Sequence, residues 1–102
     1  MRLSEREINI IKNRVTFIFG NSIIYLFGSR IDDTKNGGDI DLYIISKDRE
    51  KLFQKKVRIK TLLEDILYKP IDIVIAKNPN RLIEKEALKG VILWQIMKKQ
   101  KR

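Results

Sequence analysis

The sequence contains no cysteine and no histidine. The first absence removes a disulfide framework and any thiolate metal site. The second removes imidazole zinc ligands and histidine general bases. A metal held by this chain must be held by oxygen, which favours Mg²⁺, Mn²⁺ or Ca²⁺. Long apolar runs are missing too, since none approaches the roughly 18 residues that span a bilayer. The N-terminal stretch MRLSEREINI is charged and amphipathic, unlike a secretory leader. No membrane association and a cytoplasmic location are expected.

What is present describes a globular chain. Its 102 residues are 43% hydrophobic and 8% aromatic, which suits one domain over residues 1–102 with a modest core. The net charge is +9. Such a charge serves a nucleic-acid patch, attracts a polyanionic small substrate or an acidic partner, or simply solvates helix faces. The lysines are spread along the chain, with only the tail KKQKR clustered. That spread argues against direct nucleic-acid binding.

Ser4 with Glu7 three residues on reads as a capping box. Ile8, Ile11, Val15 and Ile18 follow at helical spacing, and Gly20-Asn21 ends the helix. Residues 22–27 (SIIYLF) and 40–45 (IDLYII) read as strands, separated by a polar loop. A second helix is expected from residues 46–48 to about Tyr68, where Lys69-Pro70 breaks it. Residues 71–76 (IDIVIA) read as a third strand and residues 81–89 as a short helix. Residues 91–97 (VILWQIM) suit either a strand or a last helix. The short helix and this last segment together, with Leu82, Ile83, Leu88, Val91, Leu93, Trp94 and Met97, offer more apolar area than a short terminus needs, which makes them a candidate contact surface. The first two strands are too closely connected for a crossover and should pair antiparallel. The helix between the second and third strands permits a parallel crossover. The expectation is an α/β (α+β) fold, a small mixed β-sheet with helices packed on it.

The chemistry concentrates in LFGSRIDDTKNGGDIDLYI, residues 26–44. Aspartate is a poor strand former, yet Asp39 and Asp41 sit one residue apart at and within a strand. Alternation points them to one face. Asp72, in the third strand, converges on them if the two strands are neighbours. Carboxylates brought together without a basic partner repel, and a divalent-cation site explains the arrangement. Gly28 lets the backbone approach a ligand, and the Ser29 hydroxyl with Arg30 suits phosphate oxygens. Asp32 and Asp33 read as loop residues.

The series Gly28-Ser29, a nine-residue loop, Asp39-x-Asp41 and the later strand carboxylate Asp72 resembles the polymerase-β-type nucleotidyltransferase superfamily. Its small size resembles the minimal nucleotidyltransferase (MNT) proteins. The resemblance implies a Mg²⁺-dependent enzyme with two ions and ATP as substrate. In it Gly28, Ser29 and Arg30 would bind nucleotide, Asp39, Asp41 and Asp72 would be the catalytic metal ligands, and Asp72 would assist deprotonation of the acceptor. It further implies an antitoxin that transfers AMP to a tyrosine of a HEPN-type toxin partner. Three other readings stay open. They are neutralisation of the toxin by complex formation without transfer, transfer to a small molecule, and salt-sensitive nucleic-acid binding.

Overall fold

A computed structural model describes residues 3–28 and 39–95. Helix α1 (Glu5–Phe19) opens on the expected capping box. Glu7 N–H donates to Ser4 Oγ at 3.1 Å, and Ser4 N–H donates to Glu7 Oε1 at 2.9 Å. The other carboxylate oxygen of Glu7 meets Lys69 Nζ at 2.7 Å, tying the start of α1 to the turn after the second helix. Burial raises the Glu7 pKa, but Lys69 and the cap outweigh it and leave it below its ordinary value. Ile11, Val15, Ile18 and Phe19 form the buried stripe of α1.

Strands β1 (Ser22–Phe27), β2 (Ile40–Ser46), β3 (Ile71–Ile75) and β4 (Val91–Gln95) form one sheet in the order β3-β2-β1-β4. β1 pairs antiparallel with β2, with Phe27 opposite Asp41. β2 pairs parallel with β3, with Asp41 opposite Asp72. Helix α2 (Leu52–Leu67) makes the crossover and buries Ile59, Leu63 and Leu67. The segment open between helix and strand is strand β4, antiparallel to β1. Gly90 permits its entry, since a methyl there would overlap Leu26 O and lie 2.8 Å from Phe27 Cβ.

Helix α2 starts later than residues 46–48 because its approach is a turn in its own right. Asp48 Oδ1 accepts from Glu50 N–H at 2.9 Å, Ser46 Oγ donates to Asp48 O at 2.8 Å, and Lys51 sits at φ 52°. Helical geometry resumes only at Leu52.

The two sheet faces differ. Ile24, Leu26, Ile40, Leu42, Ile44, Ile71, Ile73 and Ile75 join the buried residues of α1 and α2 in the main core. The opposite face carries a smaller cluster of Phe27, Tyr43 and Ala87, the last from helix α3 (Leu82–Ala87). Leu82, Ile83, Leu88 and Val91 are exposed, and Leu93 is half-buried. The side chain of Trp94 lies outside the described residues. Among those residues no helix is long and apolar enough to cross a membrane.

Candidate active site

The acidic residues lie on the face that α3 only partly covers. Strand alternation places Asp39, Asp41 and Tyr43 along one side of β2. The parallel register then sets Asp72 beside Asp41. Asp39 and Asp72 are exposed and Asp41 is half-buried. The Asp72 carboxyl lies within hydrogen-bonding reach of both Asp39 and Asp41. The three aspartates expected to converge do so.

Their protonation records the crowding. The Asp72 carboxyl hydrogen-bonded to Asp39 is the main cause that raises the Asp39 pKa, and Lys60 opposes it weakly. Burial first, and the facing Asp72 second, push Asp41 up to about 6. Such a cluster gains by sharing a proton or a cation. Among the described residues no group of three or more acidic side chains is placed so that it could hold a metal ion.

Gly28 ends β1 at φ 78°, a left-handed conformation that disfavours other residues. A methyl built on it would overlap Asp41 Oδ2. The glycine therefore opens the space against the carboxylate. Ser29 and Arg30, expected beside it, lie outside the described residues, as do Asp32 and Asp33.

Sequence reasoning missed Glu84. This carboxylate is fully buried beneath the α3 face. Tyr43 Oη donates to its Oε1 at 2.8 Å. The N–H groups of Lys77 and Asn78, each at 3.0 Å, and Arg81 at 2.9 Å donate to its Oε2. Burial pushes its pKa up, but these four donors hold it below its ordinary value. The Tyr43 hydroxyl is raised, by burial first and by Glu84 second. The hub ties α3 and the turn after β3 to Tyr43, two residues from Asp41. Its only trace in the sequence is the Arg81–Glu84 spacing at a helix start.

Residues 8–99 match the family model described as polymerase beta, nucleotidyltransferase. No curated protein matches the chain. A solved structure of a tri-AMPylated Shewanella oneidensis HEPN toxin in complex with an MNT antitoxin is similar with TM-score 0.71 and 19% identity, over 91% of this chain and 73% of that one. A toxin–antitoxin MntA-HepT structure is similar with TM-score 0.70 and 19% identity, over 90% and 73%. A toxin–antitoxin structure with AMP-PNP reaches TM-score 0.72 at 20% identity, over 88% and 74%. At such identities these likenesses establish the fold. With a family model that spans nearly its whole length, this chain belongs to the polymerase beta nucleotidyltransferase family.

Proposed function

We propose that the chain is a Mg²⁺-dependent antitoxin that transfers AMP from ATP to a tyrosine hydroxyl of a HEPN-type partner protein in the cytoplasm. The observation that carries this reading is the convergence of Asp39, Asp41 and Asp72 on two adjacent strands beside Gly28. The similar solved structures, one with a tri-AMPylated HEPN toxin and one with AMP-PNP, support the partner and the nucleotide.

Asp39, Asp41 and Asp72 would hold the divalent cations, two in number. Ions held by these carboxylates would supply positive charge against the triphosphate and against the charge that develops during transfer. Gly28 leaves room for the phosphates against Asp41. Ser29 and Arg30, which follow Gly28 in the sequence, would donate to phosphate oxygens and so fix the α-phosphorus for attack. The tyrosine oxygen forms a bond to that phosphorus as the bond to the β-phosphate oxygen breaks and pyrophosphate leaves. Asp72, exposed at the open side of the cluster, takes the hydroxyl proton.

The test is co-expression with the protein encoded beside this chain, followed by addition of Mg²⁺ and ATP and intact-mass measurement of both chains. The expected result is one or more AMP increments on the partner, absent with Asp39→Asn/Asp41→Asn. A partner of unchanged mass that is nevertheless bound and inhibited would show neutralisation by binding alone.

A further inference from the structure

The outer edge of β3 is open over part of its length. In a parallel pair, alternate residues turn their backbone groups toward the neighbouring strand. Ile40 N–H donates to Pro70 O and Ala76 N–H donates to Ile44 O, each at 2.9 Å. With the register of β2 and β3, these bonds turn Asp72 and Val74 toward β2 and Ile71, Ile73 and Ile75 outward. Helix α2 closes the first outward position. Ile71 N–H donates to Glu64 Oε2 at 3.0 Å, and its carbonyl accepts from Lys60 Nζ at 2.6 Å. The outward groups of Ile73 and Ile75 have no partner among the described residues. An unpaired edge is a template for another strand.

This edge floors a cavity of about 170 Å³, walled by Phe53 of α2 and Ile83 of α3. Phe53 is 73% exposed, a poor state for a phenyl ring unless something covers it. Lys56 and Lys77 line the same cavity, and neither has an acidic partner among the described residues. Arg81, also there, is already paired with Glu84 at 2.9 Å.

We infer that the β3 edge docks an extended, acidic segment of the partner protein. The segment adds to the sheet as a fifth strand, bonds to the backbone of Ile73 and Ile75, and seats an apolar side chain between Phe53 and Ile83. Its carboxylates meet Lys56 and Lys77. Charge selects this occupant over a second copy, since edge-to-edge pairing would join two lysine-rimmed chains of net charge +9. Strand addition suits such an edge because backbone bonds supply affinity while the flanking pocket supplies choice. Asp72 adjoins Ile73 on the same strand, so a segment laid along the open part of this edge ends beside the carboxylates. The inference rests on the proposed function, in which a protein partner brings the acceptor hydroxyl to Asp72.

Residue-resolved amide exchange on the labelled chain, alone and in complex with the co-expressed partner, tests it. The Ile73 and Ile75 amides should exchange rapidly in the free chain and about 100-fold more slowly in the complex. Phe53→Asp and the pair Lys56→Glu/Lys77→Glu should each weaken the complex by about tenfold or more. A complex in which both amides stay unprotected overturns the inference. Protection in the chain alone, with a dimer in sedimentation, overturns it in favour of self-pairing. Intact mass on the same sample separates the two readings. AMP transfer without protection sinks the docking site and spares the proposed function, and protection without transfer does the reverse. Absence of any complex overturns both.

Discussion

Gly28 and Asp41 leave no space for a side chain between them. A methyl at position 28 would overlap Asp41 Oδ2 and lie 3.1 Å from its Cγ. The left-handed conformation of Gly28 adds a backbone cost of about 1–2 kcal/mol for any other residue. Gly28→Ala should therefore lower stability by about 2 kcal/mol or more and displace the Asp41 carboxylate. Urea denaturation should show the loss, and thermal melts should show weaker stabilisation by ATP with Mg²⁺. A variant with wild-type melts and wild-type nucleotide response would mean that the glycine guards no site.

The raised pKa of Asp41 sets a pH dependence for the metal-free protein. Its value climbs from an ordinary 3.8 to about 6 on folding. Between those values the folded state binds more protons than the unfolded one, so stability falls as pH rises through that window. Asp39, raised chiefly by its hydrogen bond to Asp72, acts in the same direction. Asp41 is only half-buried, so solvent screening cuts the effect to about 1 kcal/mol. Asp41→Asn should flatten the slope and stabilise the protein at pH 7 in the presence of a chelator. Mg²⁺ with ATP should reverse that order, because only the wild type gains binding energy. Melts across pH 4 to 7, with and without Mg²⁺ and ATP, check both halves of the expectation.

The sheet and its carboxylates were legible because they rest on short-range rules. Strand alternation alone aligns Asp39 with Asp41, and a helix between two strands permits the parallel crossover that, once the strands are neighbours, brings in Asp72. The end of the chain was not legible. Val91 to Gln95 suits either periodicity, and pairing with β1, a contact distant in sequence, decides it. The start of α2 was misplaced because Asp48 closes on the nearby Glu50 N–H instead of capping a helix. Glu84 was invisible for a related reason. A glutamate in the first turn of a short helix reads as solvent-facing until the turn after β3 aims two backbone N–H groups at it.

That hub should behave as a stabilising unit. Glu84→Ala strands the Tyr43 hydroxyl, two N–H groups and Arg81, and should cost about 3 kcal/mol or more. Tyr43→Phe removes one bond and should cost about 1 kcal/mol. The lowered Glu84 pKa means its contribution is present above the unfolded value and fades as pH falls through the folded one. Urea midpoints of the two variants at pH 7 and in mild acid check the ranking. If Glu84→Ala costs no more than Tyr43→Phe, the buried carboxylate does not organise this face.

Asp72 allows binding to be separated from chemistry. It is exposed, it touches both other aspartates, and it stands on the edge strand. In the proposed mechanism it takes the acceptor proton as well as holding a cation. Asp72→Asn keeps the shape and an oxygen ligand but removes the base. Nucleotide should still stabilise the variant, while the rate of AMP transfer should fall by about 10²–10⁴. The Asp41 pKa should fall as well, because the facing carboxylate is the second cause that raises it. The pH-dependent slope of the metal-free protein should accordingly move to lower pH. Mass spectrometry of the partner measures transfer, and the pH series of melts measures the slope. Full transfer by Asp72→Asn would remove Asp72 from the proton's path, and an unmoved slope would mean that its contact with Asp41 does not persist in solution.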